Sequence, residues 1–195
     1  MSRAAHLVRR FLGALWPGPP RAADVAWVQE VLNAEEYALW AQLPNHDRRH
    51  SIRVSRHVER TLASTTESGD PRWPAAALLH DVGKLDAGLG VLGRVGATLA
   101  GAAAGHEMAG PWSARRGITR CVGLYLRHPE LGATRIRVVG GREEVARWAA
   151  AHHQEGERAA TGLPAVVVDA LVAADDDKGP TGQVPIPRRG RRDPR

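Results

Sequence analysis

Ala75-Ala-Ala-Leu-Leu-His80-Asp81-Val-Gly-Lys84 places an unbroken apolar run directly before an imidazole, a carboxylate and, three residues later, an ammonium. The run continues the spacing of a helix predicted over 71–82, with Gly83 as its stop. Neighbouring residues on a helix project about 100° apart, so His80 and Asp81 can reach one ion from the same edge. A carboxylate has two oxygens and can serve two ions, whereas an imidazole offers one neutral nitrogen to one. Lys84 adds a cation close by, either to neutralise a phosphate or merely to cap the helix.

Outward from this stretch the pattern is helical throughout. Asp24 is read as the cap of a helix carrying Val25, Val28, Val31 and Leu32. Asn33 and Glu36 form a capping box for a helix through Tyr37, Leu39, Trp40 and Leu43, which Pro44 ends. Ile52, Val54, Val58 and Leu62 mark a helix over about 47–64. Further helices are expected at 110–127, 129–139, 142–153 and 164–177, with Gly140-Gly141 as a break. No stretch alternates over six residues, and the β-branched run 166–168 lies within a helix-length pattern. The predicted fold is all-α.

A chain of 195 residues with 43% hydrophobic content suits one domain with a real core and excludes a wholly disordered chain. The single cysteine, Cys121, excludes an internal disulfide and reads as a small core residue. The net charge of +6 is terminal: the first twenty residues contribute +3, 188–195 contribute +4, and the body is near neutral. Specific nucleic-acid binding is therefore not expected. The predicted organisation is a basic amphipathic segment with a Pro/Gly linker (1–20), a helical domain (21–178) and a disordered Arg/Pro-rich tail (179–195). Arg9 and Arg10 interrupt the first apolar run, so it is not read as a signal peptide; it reads as a docking helix or frayed terminus, with weak membrane-surface contact as the alternative. The Gly/Ala-rich stretch 87–105, whose one charge is Arg94, is expected to be a buried or lid-like segment rather than a membrane span. A cytoplasmic location is expected.

The histidines and aspartates fall in an order of their own: His50, His80-Asp81, His128, His152-His153, Asp175. That order resembles the HD-domain superfamily of metal-dependent phosphohydrolases. The matching pieces are Arg49-His-Ser-Ile-Arg-Val54, Ala77-Leu-Leu-His-Asp-Val-Gly-Lys84, His128-Pro-Glu-Leu-Gly-Ala133, Ala151-His-His-Gln154 and Ala173-Ala-Asp175, spanning about two-thirds of the chain. The resemblance implies a helical bundle around a metal centre. His50, His80, Asp81 and Asp175 would hold a first divalent ion; His128 with His152 and His153 would supply the second, as in the two-metal branches, with Asp81 bridging. Periodicity does not decide between His152 and His153. The implied reaction is hydrolysis of a phosphoester, of nucleotide type, by a metal-bound hydroxide, with Lys84 assisting phosphate binding. Mixed imidazole and carboxylate ligands suit iron, manganese, cobalt or zinc. No Gly-Tyr-Pro follows His153, which departs from the cyclic-di-GMP phosphodiesterase branch. Two other readings use the same residues: a di-iron oxygenase, and a sensor that binds nucleotide or metal without turnover. His46, His57 and His106 are read as ordinary polar histidines.

Overall fold

The computed structural model describes residues 18–176, so the expected N-terminal helix, Asp177 and the Arg/Pro-rich tail lie outside the described residues. Those residues form eleven α-helices and two 3-10 helices, with no strand among them. The all-α reading holds.

At the centre lies α4 (Arg72–Leu79), in which every residue from Trp73 onward is buried. A helix that is apolar all round has to be covered all round. It packs against α1 (Ala22–Val31), α2 (Ala34–Ala41) and α3 (Asn45–Leu62) on the N-terminal side of the sequence. From the C-terminal side come α9 (Glu143–Ala151) and α11 (Ala165–Asp175). Ala75, Ala76 and Ala77 let these helices approach closely, while Trp40, Trp73, Leu78, Leu79, Ile136 and Leu171 fill the volume between them. Buried polar groups are paired between helices. Trp40 Nε1 donates to Ser51 Oγ at 2.9 Å, and Ser55 Oγ donates to the Pro74 carbonyl at 2.8 Å.

The Asn33–Glu36 capping box is present in both directions. Glu36 is also fully buried, and its carboxylate accepts from the Arg142 backbone N–H at 3.0 Å and pairs with the Arg142 guanidinium. One side chain thus caps α2 and ties it to the start of α9, after α8 (His128–Val138) and the turn at Gly140.

Several boundaries differ from the sequence reading. Asp24 lies in the first turn of α1 rather than at its cap, which is Arg21. The central helix stops at Leu79, with His80 as its C-cap; Gly83 lies inside a 3-10 helix (Val82–Ala87) instead of ending the α-helix. The span 110–127 is two helices, α6 (Ala109–Ser113) and α7 (Gly117–Leu126), broken at 114–116, with Gly117 at φ +62° where the second begins. A short helix, α10 (Glu155–Ala160), was not anticipated. The stretch 87–105 is mostly not buried: apart from Ala87, only Ala97 and Gly101, both in α5 (Val91–Ala104), are. Cys121 is half-buried, not a core residue.

Candidate metal centre

The central site is assembled from helix ends. His80 follows the last residue of α4, His128 lies just past α7, and His152 follows α9. The last carbonyls of a helix lack an intrahelical donor, and each histidine takes one three residues behind it. His80 Nδ1 bonds the Ala77 carbonyl at 2.9 Å, His128 Nδ1 the Tyr125 carbonyl at 2.7 Å, and His152 Nδ1 the Ala149 carbonyl at 2.8 Å. A carbonyl only accepts, so each Nδ1 carries a proton and each Nε2 is turned inward. In the neutral ring that Nε2 holds a lone pair, as a metal ligand requires.

All three converge on Asp81, which is buried together with them. Asp81 Oδ2 lies 3.3 Å from His80 Nε2 and accepts from Lys84 Nζ. Oδ1 faces the other way, 3.4 Å from His128 Nε2 and 3.8 Å from His152 Nε2. His153 Nε2 is 3.1 Å from His128 Nε2, on the exposed side. Asp175, the last residue of α11, sets Oδ1 3.3 Å from His50 Nε2 and 3.7 Å from His80 Nε2. The side chains fall into two groups whose ligand atoms lie within 4.8 Å of one another: His50, His80 and Asp81; and His128, His152 and His153.

All seven predicted metal ligands are therefore in one place, with Lys84 beside them. The adjacency of His80 and Asp81 works differently from the helical projection expected. Asp81 has left the α-helix, at φ −101° and ψ 4°, and this turns its carboxylate between the two groups. Both members of the His152-His153 pair face the second group, but only His152 is buried and backbone-locked. His46 lies elsewhere, accepting from Arg94 at 3.2 Å, and half-buried His57 belongs to neither group.

His50 is set differently from the other three. Arg53 Nη2 reaches His50 Nδ1 at 3.1 Å. A guanidinium only donates, so Nδ1 accepts and the proton sits on Nε2, directed at Asp175. Sequence reasoning missed Arg53, and also Arg158, which donates through Nε to the His152 carbonyl at 2.9 Å and braces the end of α9. Neither carries a sequence signal; both follow only from the assembled fold.

The protonation states of the cluster are set by burial on one side and by its two carboxylates on the other. Burial opposes protonation of His80, but the Asp81 and Asp175 carboxylates outweigh it and raise His80 to about 9. Burial favours a neutral carboxyl at Asp81, yet His80 and Lys84 hold it well below its usual range. Burial lowers His50, His128 and His152, and pushes His153 down to about 4. These four are neutral at pH 7. Asp81 Oδ1 and His152 Nε2, buried and facing each other, have no hydrogen-bond partner among the described residues. Two acceptors across such a gap are unfavourable without a cation between them.

One consequence is a pH dependence of the metal-free fold. Histidines with depressed folded pKa values bind protons more readily when unfolded, so the stability they confer is present above about pH 6.5 and is lost as pH falls. Each steepens the loss by at most about 1.4 kcal/mol per pH unit. His80 acts in the opposite direction, contributing below about 6.5 and losing that contribution as pH rises toward 9. Denaturant unfolding in chelator should therefore show stability falling steeply from pH 6.5 to 5. A flat profile would contradict neutral His50, His128 and His152.

No single helix among the described residues is long and apolar enough to cross a membrane; one bent pair, Arg72–Ala87 with Val91–Ala104, passes only when joined. Its first half is the core helix α4 and the 3-10 helix that follows. No family model, curated protein or solved structure matches the chain.

Proposed function

We propose that this chain is a metal-dependent phosphohydrolase of HD-domain type, acting on a small phosphorylated substrate, of nucleotide kind, with two divalent transition ions. The observation that carries the reading is the placement of Asp81: one buried carboxylate between two histidine groups, its Oδ1 unpaired and opposed to the unpaired His152 Nε2. The donor set fits the ions. Mixed imidazole nitrogens and carboxylate oxygens suit iron, manganese, cobalt or zinc, with the protons on His50 Nε2 and His80 displaced as the ion binds.

When bound, such a pair of ions supplies Lewis acidity at a phosphoryl oxygen and a water activated for attack. The rest belongs to the chain. His50, His80, Asp81 and Asp175 would hold one ion, and His128, His152 and His153 the other, with Asp81 common to both. Lys84, half-buried against Asp81 Oδ2, orients that carboxylate and adds the positive charge that a phosphate needs nearby. Burial of His80, Asp81, His128 and His152 keeps bulk water off the inner ligands and strengthens their electrostatics. The exposed His153 and the 26% exposed Asp175 side chain mark the side from which a substrate reaches the centre.

The test is metal content of anaerobically purified protein, wild type beside His128→Ala, followed by phosphoester turnover. Wild type should hold near two equivalents of transition metal, and His128→Ala about one fewer. Unchanged stoichiometry in the variant would overturn the two-ion reading. Absence of metal after supplementation would sink the enzyme reading, and iron-dependent oxygen uptake without phosphate release would replace hydrolysis with oxygenation.

A further inference from the structure

The two helices that carry the chain from His153 to Asp175, α10 and α11, line a shared cavity of about 530 Å3, a size typical of small-molecule sites. Ala159, Leu163, Val168 and Val172 supply its apolar lining, and Glu155, Arg158 and Asp169 its polar groups. The turn that joins the two arms is fixed from below: Thr161 is buried, and its carbonyl accepts from Arg147 of α9 at 2.6 Å.

The other end adjoins the metal centre through both arms. Glu155 opens α10 two residues after His153, and Val172 lies one turn before Asp175 on α11. Arg158 makes the link directly, since it lines the cavity while its Nε and Nη2 both donate to the His152 carbonyl. His153 and Asp175, which mark the side open to a substrate, thus stand at the head of one arm and the end of the other. At about 1.5 Å per residue, the lining from Ala165 to Ala173 runs about 12 Å along α11, room for a base and its sugar.

The polar chemistry of the cavity is one-sided. Glu155 stands on α10 and Asp169 on α11, and no hydrogen bond or ion pair of the described residues uses either carboxylate. Arg158 is already committed to the His152 carbonyl. An apolar cleft with a carboxylate on each arm suits a ring that carries N–H donors, because a carboxylate only accepts. Cytosine and adenine each carry an amino group that donates; uracil and hypoxanthine carry a carbonyl in its place, which a carboxylate repels.

We infer that this cavity receives the base of the substrate and selects bases that carry an amino group, with Glu155 and Asp169 as the specificity-determining residues. The inference rests on the phosphohydrolase reading, which puts the phosphate at the ions.

Calorimetric binding to the full chain in the presence of manganese tests it, with nucleoside 5′-monophosphates matched except at one position: cytidine against uridine, and adenosine against inosine. The amino member of at least one pair should bind at least about tenfold more tightly. E155A/D169A should bring that ratio to about one, with helix content and metal content unchanged. V168W, which fills the cavity, should weaken all four ligands. A wild-type ratio near one in both pairs would overturn the inference. So would a ratio that survives E155A/D169A, or binding that V168W leaves undiminished. The reading beneath it fails in a different way. Selective binding without phosphate release would keep the specificity and overturn hydrolysis. Release from base-free p-nitrophenyl phosphate, with no selectivity among the nucleotides, would keep hydrolysis and overturn the inference.

Discussion

Asp81→Asn should remove metal from both ligand groups together and lower phosphoester turnover by at least about a thousandfold. The substitution preserves shape but replaces two anionic oxygens with one amide oxygen and one NH2. The amide can satisfy one side at most, and its nitrogen presents protons where an ion would bind. The metal-free fold should also suffer. Lys84 is raised above its ordinary pKa because Asp81 more than offsets the burial that would lower it, and His80 is raised with it. Without the carboxylate, those cations lose their common partner. Removing one member of a buried pair costs about 3–5 kcal/mol, and the lower end applies here, since Asp175 still faces His80 and the Lys84 side chain is 16% exposed. Urea unfolding in chelator measures this, and metal content measures the rest. Adding Lys84→Met should recover part of the stability and none of the metal. If Asp81→Asn keeps its full metal complement, the carboxylate does not bridge.

Gly83→Ala should be more damaging than one methyl group suggests, with a loss of about 3 kcal/mol or more and with His128 displaced. A Cβ at Gly83 would stand 2.0 Å from the His128 carbonyl oxygen and 2.5 Å from the Gly132 nitrogen. Both are backbone atoms of α8, so no side chain can swing aside. Relief requires the 3-10 helix after Asp81 and the start of α8 to separate, which moves Asp81 from His128. The partner glycine gives the contrast. A Cβ at Gly132 would meet nothing nearer than 3.1 Å, so Gly132→Ala should cost less and retain more metal. Thermal unfolding and metal content of the two variants decide the matter; equal effects would show that the interface yields more readily than its geometry implies.

Gly83 also shows where the sequence could and could not be read. Helix existence followed from periodicity and capping, and Glu36 in its box was legible because both partners lie within one turn. The role of Gly83 was not: a glycine after an apolar helix reads as a stop, and only the crossing of α8 reveals that its missing side chain makes room. That His50, His80, Asp81, His128, His152, His153 and Asp175 would gather in one place was legible from their order along the chain. Their tautomers were not, since Ala77, Tyr125 and Ala149 act through carbonyls that every residue has. Arg53 and Arg158 act across folded distances that no local pattern encodes. The Gly/Ala stretch misled for a compositional reason: small side chains suit a buried contact, and here they also leave three large ones exposed.

The backbone carbonyls that hold His80, His128 and His152 make the orientation of these rings a property of three helix ends. No single side-chain replacement deletes such a partner, so the outer layer of the centre cannot be removed by an ordinary substitution. It can be loosened from a distance. Anything that frays the last turn of α4, α7 or α9 frees an imidazole to flip, even when every ligand remains in the sequence. The centre should therefore fail gradually with local helix melting, and ligand affinity should report the health of three remote helix termini.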